Sequence, residues 1–119
     1  MSARRPFFID TDTASDDAVA LAIAFARDDI DIVGIGVVAG NVPLESGVQN
    51  ALYTRELCGR TDVPVYVGAS HPLVFPLGTA QHVHGNDGMG DIGLDLSGRV
   101  PNEGHAVDAL IEASHQHAG

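Results

Sequence analysis

The sequence contains no lysine and a single cysteine, Cys58. One thiol excludes an intrachain disulfide, as expected of a chain kept in a reducing compartment. Positive charge is scarce: six arginines stand against 16 acidic residues, which leaves a net charge of −10 and a pI near 4.6. Such a surface repels phosphate polymers and anionic headgroups, which argues against nucleic-acid and membrane-surface partners. Long apolar runs are missing too. The longest, AVALAIAFA at 18–26, falls far short of the ~20 residues that span a bilayer. The opening MSARRPFFID meets an acid before it could build a secretory apolar segment. The chain is accordingly expected to be soluble and cytoplasmic.

What is present suffices for one domain: 119 residues, 45% of them hydrophobic, support a packed core. PFFIDT (6–11), bounded by Pro6 and acids, predicts a buried strand. Ser15 or Thr13 is placed to cap a helix over roughly 16–27, with Asp16 and Asp17 in its first turn. That helix is apolar nearly all round and is expected to be buried. The Ile/Val content of DIDIVGIGVVAG (29–40) predicts a second strand. LESGVQNALYTRELCG (44–59) repeats apolar residues at helical spacing and stops at Gly59. VPVYVG (63–68) gives a third strand. Residues 69–101, with three of the six prolines, read as a long irregular loop, a feature that is usually functional or poorly ordered. In the last segment Asn102 is the expected cap of a helix carrying Ala106, Val107, Leu110, Ile111 and Ala113 on one face. The order β-α-β-α-β-loop-α argues an α/β fold: a Rossmann-like parallel sheet with crossover helices. Three strands make a thin sheet, and a final helix ordinarily leads into another strand. Residues 1–119 are therefore expected to be an incomplete part of a larger fold.

Asp10, Asp12, Asp16 and Asp17 fall within eight positions, flanked by apolar runs. In an open α/β sheet ligands bind at the carboxyl ends of the strands, and these acids stand at the end of the first strand and the start of the next helix. The helix dipole accounts for Asp16 and Asp17, at a few tenths to ~1 kcal/mol each. It does not account for four. Converging carboxylates either raise one another's pKa or bind a cation, and hard oxygen ligands select Ca²⁺ or Mg²⁺. His82 and His84 would share a face of an extended segment, which makes a zinc pair conceivable, but a third ligand is lacking. Cys58 is expected as helix packing, and His105, His115 and His117 are expected to face solvent.

Apolar residues followed by Asp10-Thr11-Asp12-Thr13 look like the first motif of haloacid-dehalogenase-type phosphatases, in which Asp10 would be the nucleophile. Those enzymes commonly also use a lysine. A P-loop fails for want of its Gly-Lys pair, and a response-regulator receiver for want of an acid after the third strand. A fuller match is to the inosine-uridine-preferring nucleoside hydrolases. Their opening Asp-x-Asp-x-x-x-Asp-Asp is matched by Asp10, Asp12, Asp16 and Asp17, and their Gly-Asn pair by Gly40-Asn41. Their His-x-His-Gly followed by Gly-Met-Gly is matched in HVHGNDGMG (82–90). Many members have Pro-Gly where this chain has Thr13-Ala14, which changes the turn but removes no ligand. Members of the family are much longer, so the resemblance makes residues 1–119 the N-terminal part of a single nucleoside hydrolase-like α/β domain.

The resemblance implies hydrolysis of the N-glycosidic bond of ribonucleosides to ribose and free base, with Ca²⁺ holding the attacking water. It implies Asp12 as calcium ligand and general base, and Asp17 as the second carboxylate ligand. Asp16 and Asn41 become ribose contacts, and His84 belongs to a loop lining the substrate mouth. Asp10 is placed behind these groups, steadying them. The expected partners are a ribonucleoside substrate and further copies of the chain in a homo-oligomer. A non-catalytic metal-binding or interaction fragment stays open beside this reading, as does the phosphatase.

Overall fold

Ile, Val and Phe crowd the segments that become strands. The computed structural model, which describes residues 3–118, builds them into one parallel sheet. β1 (Arg5–Thr11), β2 (Ile30–Val37) and β3 (Val65–Val67) lie in the order β1-β2-β3. α1 (Ser15–Ala26) and α2 (Leu44–Leu57) are the crossovers. After β3 come a helical turn, α3 (Gln81–His84), and a longer helix, α4 (Ala106–Gln116). The expected order is present, with α3 an unforeseen turn inside the 69–101 loop.

Thr11 pairs with Val37, and Val37 with Val67, so the three strands finish level. The residues that follow them therefore meet at one rim. β2 ends at Val37 rather than running to Gly40; beyond it the Val38 N–H donates to the Thr11 carbonyl and the Ala39 N–H to the Ala69 carbonyl. A register shift between Phe7 and Phe8 places Val33 as an extra residue in β2. This bulge keeps Ile32 on the same side as Ile35 and Val37 despite the odd spacing.

That side is the core. Leu21 and Phe25 of α1 and Val48, Ala51 and Leu52 of α2 pack there against Ile32, Ile35, Val37, Val63 and Val65. On the opposite face Gly34 and Gly36 expose bare backbone, and α4 approaches closely: a Cβ on Gly36 would stand 3.1 Å from the Ala106 Cβ. The outer side of β3 is partly occupied by the segment leading into α4. The Asn102 N–H donates to the Val65 carbonyl at 2.8 Å, and the Val65 N–H donates to Asn102 Oδ1 at 2.9 Å.

Several local expectations are corrected. α1 buries only Ala18, Leu21 and Phe25, while Val19 and Ile23 are each 61% exposed, since one neighbouring helix and a three-stranded sheet cannot cover every side of it. Its cap is Ala14, with no side-chain bond; the Thr13 and Ser15 hydroxyls are engaged elsewhere. Asn102 is not a cap, because β3 claims its side chain. His105 takes that place, its Nδ1 accepting the Val107 N–H at 3.1 Å. The apolar face of α4 buries Ala106 alone. Cys58 sits half-buried at the end of α2. No helix among the described residues is long and apolar enough to cross a membrane.

Candidate active site

Asp12 is the first residue beyond β1, and its surroundings are built by the turn after β2. Its Oδ2 accepts the backbone N–H of Asn41 at 2.8 Å. Only glycine fits at position 40, since a Cβ there would overlap the Asp12 carboxylate. The Gly40-Asn41 pair thus clasps the ends of β1 and β2 together. The contact runs through the Asn41 backbone, and its carbonyl accepts the Ala80 N–H at 2.7 Å, tying the long loop to the same point.

Thr11, the buried last residue of β1, donates its hydroxyl to Asp17 Oδ2 at 2.8 Å and lies 3.2 Å from the Thr13 hydroxyl. This turns Asp17 from the first turn of α1 inward, within hydrogen-bonding reach of Asp12. The two carboxyls then part company. Burial pushes the Asp12 carboxyl up, but the Asn41 N–H and the Asp17 carboxyl outweigh it and hold Asp12 below the usual range. Burial also raises Asp17; Thr11 opposes this, and the adjacent Asp12 and Asp16 charges add to the rise, so Asp17 ends above the usual range. Neighbouring carboxyls with divided proton affinities are the pattern that a shared proton or a bound cation between them relieves.

The remaining predicted residues surround this pair without joining it. Asp10 is exposed and borders a cleft of about 210 Å³ together with Thr11 and Asp17. Asp16 is exposed in the first turn of α1, its Oδ1 4.0 Å from His84 Nδ1. His84 is hydrogen-bonded through Nδ1 to the Ser15 hydroxyl at 3.0 Å, so the His84 loop rests on the start of α1. The zinc pairing fails, because His82 and His84 lie in a helical turn rather than an extended segment and His82 faces solvent. Among the described residues no group of three or more His, Cys, Asp or Glu side chains is placed to hold a metal. Asp12 and Asp17 fit a divalent cation as two hard oxygen donors. A calcium ion takes roughly 6–8 oxygens, so most of its shell would come from other groups.

Sequence reasoning missed Thr11 and Asn50, and gave Thr13 and Ser15 only as helix caps. Asn50 of α2 is fully buried, and its Nδ2 donates to the Thr13 carbonyl at 3.0 Å and to the Asp87 carbonyl at 2.9 Å. Its one local signal is an amide set among Val48, Ala51 and Leu52.

The family described as inosine-uridine preferring nucleoside hydrolase matches residues 7–119. A pyrimidine-specific ribonucleoside hydrolase of Photobacterium profundum is 41% identical over 108 residues, 91% of this chain and 35% of the relative. Uridine nucleosidase 1 of Arabidopsis thaliana is 38% identical over 112 residues, 93% of this chain and 33% of the relative. The solved structure of a purine-preferring ribonucleoside hydrolase from Gardnerella vaginalis superposes with a TM-score of 0.87 at 32% identity, covering 95% of this chain and 37% of that one. The chain spans about a third of the length of the curated relatives it matches. The acid motif shared with phosphatases is thereby decided, and this chain belongs to the inosine-uridine preferring nucleoside hydrolase family.

Proposed function

We propose that the chain carries the water-activating and sugar-binding part of a ribonucleoside hydrolase site, which cleaves the N-glycosidic bond to ribose and free base with Ca²⁺ as cofactor. The observation that carries this reading is the clasp at the strand ends, Asn41 N–H on Asp12 Oδ2 at 2.8 Å with Asp17 beside it. Relatives named for pyrimidine and for purine preference match the same stretch. Its residues are therefore assigned to chemistry common to both, on the sugar and the water.

As the base departs, positive charge develops on the ribose and a water must attack and lose a proton. Calcium, when bound, supplies a hard positive centre that organises oxygen ligands and eases deprotonation of a water. Asp12 takes the water's proton as general base. Its lowered proton affinity keeps it a carboxylate at neutral pH, and the Asn41 N–H fixes its Oδ2. Asp17 would serve as the second carboxylate ligand, where burial and the neighbouring Asp12 and Asp16 raise it and a cation would offset both. Asp16 accepts from a ribose hydroxyl, and the Asn41 amide donates to another. His84 borders the mouth where the loop meets α1, and Asp10 steadies the acids from the cleft side. In this reading residues 1–119 are the N-terminal part of one domain, working in the cytoplasm as a homo-oligomer.

The test, in an active assembly that supplies the rest of the site, is release of free base from inosine and uridine, with calcium and with chelator. Asp12→Asn should lower turnover by ~10²–10⁴-fold, the worth of a general base, and Asp10→Asn should lower it less. The reverse order would overturn the assignment, since Asp10 would then be the reacting group. Calcium binding followed by calorimetry checks the donors separately, and heat unaffected by either Asp12→Asn or Asp17→Asn would remove both from the cation site.

A further inference from the structure

Asn50 is an expensive residue to keep in a core. It has no exposed surface, and its Oδ1 finds no partner among the described residues. An unpaired buried acceptor carries a desolvation penalty that an apolar side chain of the same size would not. What the amide offers in exchange is two N–H donors on one nitrogen, and both are used. One goes to the carbonyl of Thr13, which lies between Asp12 and the Asp16–Asp17 pair. The other goes to the carbonyl of Asp87, three residues beyond His84. Serine or threonine at this position would offer one donor, leucine none.

The loop is shaped to meet this group. Gly88 has φ +78, and a Cβ there would lie 2.5 Å from Val42 Cγ1 and 3.0 Å from Asn50 Nδ2. Both the backbone conformation and the close approach require glycine. The loop's other ties to the site are the Ala80 N–H on the Asn41 carbonyl and the exposed Ser15–His84 contact. Asn50 joins the acid turn to the histidine loop from inside the core, whereas the Ser15–His84 bond and the 4.0 Å Asp16–His84 pair join them at the exposed rim.

We propose that Asn50 is a positioning residue which couples the Asp12–Asp17 turn to the His84–Asp91 loop, so that the cation-binding acids and the substrate-facing loop are held in one arrangement. The proposal rests on the cation and nucleoside reading above. It goes beyond it by assigning the coupling to a side chain that touches neither ligand.

Hydrogen exchange by mass spectrometry on the full chain, paired with Ca²⁺ calorimetry, tests it. Asn50→Leu fills the space but donates nothing. It should raise exchange at residues 12–17 and 84–91 by about tenfold or more while the β2 amides stay protected. It should also weaken Ca²⁺ binding by about 10–100-fold, the usual effect of losing a group that orients ligands. Gly88→Ala breaks only the loop half of the tie, so exchange should rise most at 84–91 and less at 12–17 than in Asn50→Leu, with Ca²⁺ affinity weakened by less than in that variant. Because both changes act on one contact, adding Gly88→Ala to Asn50→Leu should release the loop no further. Exchange rising equally in β2 would make Asn50 a mere core residue and overturn the proposal, as would additive loop release in the double variant. If Asn50→Leu does not fold, Gly88→Ala still decides, since an unchanged loop would refute the tie. Absence of Ca²⁺ binding in the unaltered chain would defeat the cation reading instead, and the exchange pattern would still judge the coupling.

Discussion

Leu21, Ile35 and Leu52, on one face of the sheet, are at most 2% exposed, whereas Val107, Leu110 and Ile111 on the other are 55%, 47% and 50% exposed. The first face is packed by two helices with branched side chains between them. The second is a single helix laid over Gly34 and Gly36, where the sheet offers backbone and the Phe8 ring. Cohesion therefore comes from the α1/α2 side, and the candidate site draws on the same side. Thr11 ends β1 and Asp12 follows it, Asp17 lies in the first turn of α1, and Asn50 reaches out of α2. No hydrogen bond from α4 reaches these acids among the described residues. The molecule teaches that a site can be rigid on one flank of a sheet whose other flank is thinly covered.

The sharpest way to break this comparison is the same truncation on both faces. Leu52→Ala removes a side chain from the middle of the core and should cost ~2–5 kcal/mol. Leu110→Ala removes one already half in water and should cost less than ~1 kcal/mol. Urea denaturation midpoints measure both, and equal losses would mean that α4 carries as much of the fold as α2.

Next in size are two glycine substitutions. Gly40→Ala drives a Cβ into the Asp12 carboxylate, with no room to give because the Asn41 N–H holds it. Overpacking of this kind costs ~1–3 kcal/mol, and the displaced carboxylate should also lose Ca²⁺ affinity. Gly34→Ala brings a Cβ to 2.7 Å from Phe8 Cε2, a ring that can swing toward the loosely covered side. It should loosen α4 at a similar or smaller cost and leave Ca²⁺ binding as it was. Calorimetry on the two variants sharpens the comparison, and a Gly34→Ala protein that loses calcium would tie the site to the thin face after all.

The strands and long helices were legible because their signals are local: Ile/Val runs for β2, apolar spacing through Leu44, Val48 and Leu52 for α2. Failures came where a side chain's partner lies far along the chain. Ser15 and Asn102 are good caps by local rules, yet one bonds His84 and the other the Val65 backbone. The uniform apolarity of AVALAIAFA hides which residues meet the sheet, and only packing leaves Val19 and Ile23 outside. Within the acid motif the sequence marks four aspartates alike. The structure separates them through Thr11 and the Gly40 turn, which bring Asp12 and Asp17 together and leave Asp10 and Asp16 to solvent. Asn50 showed only as an amide among apolar neighbours, and its role was hidden because both of its partners lie 37 residues away, in opposite directions.

The smallest effect on stability belongs to the thin face itself. Beside the exposed α4 residues, Phe7 of β1 is 40% exposed, and β1 pairs with β2 alone among the described residues. An unpaired strand edge next to an apolar helix face favours association with another chain. Pro6, which has no N–H to donate, and the exposed Arg5 blunt that edge only at its start. Sedimentation velocity should therefore show concentration-dependent self-association, with the net charge of −10 opposing it less as salt is raised. Ile111→Ser removes apolar surface without adding charge and should weaken association. At such an exposed position it should change the unfolding free energy from urea denaturation by no more than ~0.5 kcal/mol. A variant that associates as readily as the unaltered chain would move the contact elsewhere, with Leu73, Val74 and Phe75 of the long loop, at 101%, 85% and 78% exposed, the next surface to change.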